Sequence, residues 1–455
     1  MMMDKNQEKL AFYFDVEIKR RELFSRLTVA ALLAEKGYHV FIGERATLSS
    51  IRRIIPKATI VKKSARSNGV AIIRDLINNG YKIINMEEEG VLVGSLNEYI
   101  GVDMPPDAVK LPDRHLLWGD MQTDYLKNLY PKLTDKFLKV GNPRLHLWKN
   151  RYYGFFDILA DDIKKELGEF VLMSSNFAIY TNRRHVKEMF KMTGFLEKSE
   201  NTKIYEENLK TVEFLFKEFV KAAQEISLKG VKVVFRPHPS ESISKIQDYF
   251  SGYDNIIISS DHDVTPWILA SKAIIHNCCT TGLEATFMKK NTIAYTPNSV
   301  SQYELNNVDK IAKVAFNVDE LLNGIFSPVE FHPSMMNLDG YLIDKISLDD
   351  IVNALEGVQT KSFFDLNSVE ISNNRSIFNK FIYTSTRKLK DSFIFDKVKK
   401  QERKSLRAKF PVTSASELED YLSCIYEYGL LKQPTNCVPV ERNTFYIYCD
   451  NSNSD

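Results

Sequence analysis

The sequence has no run of about 18 apolar residues, so nothing in it predicts a helix that spans a bilayer. Its opening, MMMDKNQEKLAFYF, lacks the charged start, long apolar core and small-residue cleavage site of a secretory signal. A cytoplasmic protein is expected, free or peripheral at the inner face of the cell membrane. Cysteine is scarce: Cys278, Cys279, Cys424, Cys437 and Cys449 are the only five, and none forms a C-x-x-C pair. Adjacent cysteines rarely bridge each other, so reduced thiols are expected, with neither a disulfide framework nor a metal site. Charge of one sign is not in excess either. The 61 Lys and Arg nearly cancel the 59 Asp and Glu, for a net charge of +2, so no whole-chain field favours nucleic acid and any basic patch is local.

What the 455 residues do contain is alternation, over a length that suggests roughly two or three domains. LAFYFDV (10–16) reads as a strand, and Leu23, Leu27, Ala30, Ala31 and Ala34 follow at helical spacing up to the stop signal Lys36-Gly37. HVFIGE (39–44), ATIVKK (58–63), a helix over 70–76, YKIINM (81–86) and FLKVGNP (137–143) continue the series. After a crossover from Trp148 to about Lys165 it restarts with EFVLMSSN (169–176), a long helix over 204–228, VKVVFRPHP, NIIISS, VTPWILAS, KAIIHN, TTGLEATFMKK and NTIAYT. Strands alternating with helices predict mainly parallel sheets in an α/β protein. The expectation is two Rossmann-like domains, over 1–150 and 166–345, facing each other across a cleft that holds the ligand. A mainly helical basic extension is expected over 360–455. Within it, 380–409 carries eleven Lys and Arg among apolar residues, a pattern suited to an anionic membrane surface.

Polar clusters follow the carboxyl ends of predicted strands: Met86-Glu87-Glu88-Glu89-Gly90, Arg236-Pro237-His238-Pro239 and Thr280-Thr281-Gly282-Leu283-Glu284. Open α/β sheets bind ligands at these ends. In the last cluster hydroxyls meet the free N–H groups of a helix start, a place for phosphate, with Glu284 in reach of a ribose. The alternative is a plain N-cap by Thr280 or Thr281. His238, held stiffly between two prolines, is positioned to stabilise a leaving phosphate. A glutamate of the first cluster would act as general base, its pKa raised by like-charged neighbours.

With Val16-Glu17, Arg21-Glu22-Leu23, Leu117-Trp118-Gly119, Val140-Gly141-Asn142-Pro143-Arg144 and Ser175-Asn176-Phe177, these clusters form an ordered set over roughly 10–345. The set resembles the surface carbohydrate biosynthesis proteins, and is similar to GT-B type bacterial β-Kdo transferases and sialyltransferases that use CMP-activated sugars. The resemblance implies an inverting glycosyltransferase that needs no metal or other cofactor and moves a nonulosonic acid such as Kdo to a glycan or glycolipid acceptor. It assigns Glu88 as first-choice base, Glu87 and Glu89 as second choices, His238 at the donor phosphate, and Arg236, Pro239, Thr280, Thr281, Gly282 and Glu284 around the nucleotide. Two further enzyme readings stay open: a CDP-glycerol or CDP-ribitol phosphotransferase of teichoic acid type, and a nucleotide-sugar 2-epimerase. A degenerate scaffold protein is the non-enzyme alternative.

Overall fold

A computed structural model describes residues 9–47, 57–88 except 65, 67 and 68, 104–192, 196, 199–297 except 262 and 278, 312–327, 347–358, 361–362 and 410–449. The chain forms two compact units, Met1–Leu147 with Gly340–Asp455, and Trp148–Asp339.

The first unit opens with β1 (Lys9–Val16), α1 (Lys19–Glu35), β2 (His39–Glu44), β3 (Thr59–Lys62), α2 (Val70–Asn78), β4 (Lys82–Met86), β5 (Arg114–Leu117), α3 (Asp120–Leu129) and β6 (Phe137–Lys139), followed by α4 (Pro143–Lys149). The six strands are parallel in the order β2-β1-β3-β4-β5-β6. Phe12, Tyr13 and Phe14 of β1 are all fully buried. A parallel strand covered on both faces shows as an unbroken apolar run, which is why β1 is readable. α1 stops where expected, at Gly37 with φ +84°, where Gly37 N–H reaches Ala34 O at 2.9 Å and Tyr38 N–H reaches Leu33 O at 3.3 Å. β5 and α3 fall in a stretch that the pattern leaves irregular, since four residues, Arg-His-Leu-Leu, are too few to show a period.

The second unit contains α5 (Asp157–Leu167), β7 (Phe170–Ser174), α6 (Ser199–Leu228), β8 (Lys232–Arg236), β9 (Ile256–Ile258), α7 (Val264–Ala270), β10 (Ala273–His276), α8 (Thr280–Phe287), β11 (Thr292–Tyr295), β12 (Lys313–Ala315) and α9 (Val318–Phe326). Its six strands are all parallel in the order β12-β11-β10-β7-β8-β9. That is the doubly wound order of a dinucleotide-binding sheet, reversing direction between β7 and β10. Phe216 and Phe219 of α6 pack with Phe177, Phe235 and Tyr295 to fix the helix on the sheet.

The division falls at Leu147–Trp148, where the expected crossover begins, and that segment groups with the second unit together with α5. One domain expectation needs correction: 360–455 is not a separate, mainly helical extension where it is described. After α10 (Leu348–Glu356) and β13 (Lys361–Ser362), α11 (Ala415–Glu427), β14 (Thr435–Glu441) and β15 (Thr444–Cys449) complete the first unit. β15 pairs antiparallel with β2 from Thr444↔Gly43 to Ile447↔Val40, extending the sheet. Tyr421 of α11 packs on Phe24 at 4.7 Å between ring centroids, its hydroxyl 2.7 Å from Thr28 Oγ1, so α1 is buried from this side too. The basic segment 380–409 lies outside the described residues. Among the described residues no helix is long and apolar enough to cross a membrane.

Candidate functional site

In the second unit β7 and β10 are neighbours whose onward connections run to opposite sides of the sheet, leaving their carboxyl ends open to a ligand. β7 ends on Ser174, whose hydroxyl donates to Thr281 Oγ1 at 3.2 Å and lies 3.5 Å from Cys279 Sγ. Cys279 takes the N-cap position of α8 without a capping hydrogen bond from its side chain, with Thr280 and Thr281 in the first turn. The plain threonine cap is therefore not what forms: Thr281 turns its hydroxyl to the neighbouring strand. Gly282 lets α8 sit against β10, because a Cβ there would come within 2.4 Å of His276 Nε2. Glu284 is buried and accepts from Thr265 Oγ1 at 2.5 Å, so the carboxylate assigned to a ribose is engaged inside its own unit.

The turn after β8 is organised by a residue the sequence reading passed over. Glu241 is buried and its carboxylate collects four donors: His238 N–H at 2.6 Å and, on the β7 side, Ser175 Oγ at 2.8 Å, Phe177 N–H at 3.2 Å and Thr181 Oγ1 at 3.5 Å. Burial pushes its carboxyl up, against the pull of those donors. The readable signal was an acid three residues after the histidine, the spacing at which a glutamate reaches back to an N–H. His238 itself is exposed, as is Pro239, and His238 Nδ1 accepts Ser240 N–H at 3.2 Å. An accepting Nδ1 leaves the hydrogen of the neutral ring on Nε2. Arg236 is buried, donating to Asp261 O at 2.8 Å beneath the face of Trp267, 5.8 Å from its ring centre. Its guanidinium thus ties the end of β8 to the loop that follows β9.

The first unit carries a second polar concentration, at the carboxyl ends of β1, β3 and β4. Lys62 lies 2.6 Å and Arg45 3.2 Å from Asp15, while Arg45 and Lys63 hold Glu17 at 2.7 and 2.9 Å. Burial opposes ionisation of Asp15, but Lys62 and Arg45 outweigh it and hold the carboxyl below its ordinary value. Arg26, fully buried, donates to Asp15 O at 2.8 Å, Val61 O at 3.0 Å and Glu88 Oε1 at 3.2 Å, tying three strand ends together. Glu88 Oε2 accepts from Asn142 Nδ2 at 3.4 Å and faces Arg144 Nη1 at 3.6 Å. Glu87 Oε1 caps Glu88 N–H at 2.8 Å, and its carbonyl takes Trp118 Nε1 at 2.7 Å and Asn142 Nδ2 at 2.8 Å. The Leu117-Trp118-Gly119 and Asn142-Pro143-Arg144 motifs therefore hold the acidic turn in place. Both acids are buried, and burial raises the Glu88 pKa although Arg26 and Arg144 oppose it. Glu89 lies outside the described residues.

Two buried histidines give the fold a pH dependence. Burial pushes down to about 4 both His276 and His115, whose Nε2–H donates to Val109 O at 2.9 Å and whose Nδ1 accepts from Asn85 Nδ2 at 3.1 Å. A depressed histidine pKa means that the unfolded chain binds the proton first, so stability is complete above the unfolded value of about 6.5 and falls as pH drops toward 4. Each ring contributes a slope of up to about 1.4 kcal/mol per pH unit in that window. Urea unfolding at a series of pH values should show the loss, and His115→Gln should remove its share.

No protein-family model and no curated protein matches the sequence. Among solved structures, a variant of the wall teichoic acid polymerase TagF is similar at 12% identity and a TM-score of 0.45, over 78% of this chain and 90% of that one. The UDP-GlcNAc 2-epimerase of Methanocaldococcus jannaschii is similar at 11% and 0.48, over 77% and 100%. S. aureus MnaA with UDP is similar at 13% and 0.45, over 77% and 96%. At these identities and TM-scores the matches carry no activity across to this chain.

Proposed function

We propose that the chain is an inverting glycosyltransferase that takes a nonulosonic acid such as Kdo from a CMP-activated donor to a surface polysaccharide or lipopolysaccharide acceptor. The observation that carries the donor half is the convergence at the switch point of the second sheet. Ser174, Thr281 and the first turn of α8 meet there, and Glu241 links the β7 end to the His238 turn. Hydroxyls and helix-start amides hold a phosphate, and a neutral histidine with hydrogen on Nε2 donates to it as charge develops on departure. These groups stabilise the leaving phosphate without requiring a cation. For the acceptor half Glu88 is the proposed base. Burial raises its pKa, the direction that strengthens a base, but the carboxylate has no exposed surface and must exchange an arginine for the acceptor hydroxyl.

Thermal unfolding with CMP, CDP, UDP, UDP-GlcNAc and CDP-glycerol, each in EDTA and then with magnesium or manganese, tests the donor. CMP or CDP should stabilise more than UDP, equally with and without metal. Stabilisation by UDP-GlcNAc alone would contradict the cytidine donor and favour the epimerase reading, and CDP-glycerol acting best would favour phosphotransfer.

A further inference from the structure

We infer that Glu241 is a positioning residue, fixing the His238 ring as an Nε2–H donor by clamping the turn that carries it. The inference rests on the donor site proposed above and deepens it. All four groups around the carboxylate are donors, two backbone N–H and two hydroxyls, so an ionised acid suits the pocket and an amide NH₂ does not. The donors come from two neighbouring strand ends: His238 follows β8, whereas Ser175, Phe177 and Thr181 follow β7. The clamp closes in both directions, since Glu241 N–H also reaches His238 O at 2.8 Å. Within this closed turn Ser240 N–H is aimed at His238 Nδ1, at 3.2 Å, and that contact selects the tautomer. Without the carboxylate His238 N–H loses its acceptor, the turn opens, and the ring is free to exchange its hydrogen between nitrogens.

A merely structural acid would change stability and leave the imidazole alone, so the ring nitrogens are the readout. Long-range proton–nitrogen spectra of the ¹⁵N-labelled protein, recorded at about pH 8 where histidine is neutral, report the tautomer directly. Wild type should show His238 almost wholly as the Nε2–H form, assigned by its loss in His238→Gln. Glu241→Gln should show a clear minor share of the Nδ1–H form beside Nε2–H, as an unconstrained side chain does, and bind CMP about tenfold more weakly. Glu241→Asp, which keeps the charge with a shorter reach, should be intermediate and serves where the glutamine variant does not fold. A wild-type tautomer in a folded Glu241→Gln, or in Glu241→Asp if the first does not fold, would overturn the inference. Should wild type bind no nucleotide, the donor reading fails while the tautomer comparison still decides the role of Glu241.

Discussion

Arg26→Met should lower the stability of the first unit by about 3 to 5 kcal/mol, the cost of breaking a buried ion pair from one side. Methionine matches much of the volume, so packing is not the main loss. What goes is the donor set: Asp15 O and Val61 O each lose a hydrogen bond, and Glu88 keeps only Asn142 and Arg144 at 3.4 and 3.6 Å. A carboxylate left short of partners at full burial protonates, so the Glu88 pKa should rise further. Lys36→Ala provides the contrast. It removes the Lys36–Glu356 pair at 2.7 Å, whose lysine side chain is 43% exposed, and should cost no more than about 1 kcal/mol. Urea unfolding followed by circular dichroism measures both. A loss at Arg26 no larger than that at Lys36 would mean that the charge network does not hold the strand ends.

His238→Gln should lower turnover with a CMP-activated donor by about a hundredfold or more, the scale of removing one donor or acid from a developing charge. Its effect on CMP affinity should be smaller, because the phosphate keeps the first turn of α8. Thr281→Val should reverse that pattern. Valine has the shape of threonine but removes the hydroxyl that Ser174 meets at 3.2 Å, so affinity falls about tenfold and turnover at saturation changes little. The contrast separates a group that acts on departure from one that binds throughout. Equal losses in affinity and turnover for both variants would indicate a single structural effect.

The central strands were legible because they are buried on both faces. β1, β2, β7, β8, β10 and β11 appear as short apolar runs close to their true limits, since parallel strands under helices have no polar face to interrupt them. The hairpin β14–β15 was not read, yet it left a trace. Glu441 pairs with Thr444 around Arg442-Asn443, a two-residue loop with Asn443 at φ +53°, a position asparagine tolerates. Pro439, which has no N–H to donate to a ladder, is accommodated because β14 is the edge of the sheet. The site was legible as positions rather than as contacts. Thr281 and His238 were chosen for lying past strand ends, and both do. Glu241 and Arg26 were missed because their roles depend on which strands are neighbours: Glu241 meets Ser175 across 66 residues and Arg26 meets Glu88 across 62. Arg26 also sits one position before Leu27 on an apparently amphipathic helix, where a charge reads as solvated.

The central claim is that the switch point of the second sheet binds the phosphate of a cytidine nucleotide. Calorimetric titration of CMP into wild type and Thr281→Val, both in EDTA, tests it most directly. The account predicts saturable one-to-one binding to wild type that the valine weakens about tenfold while the unfolding transition stays in place. No binding to wild type, or equal affinity in the two proteins, would contradict it.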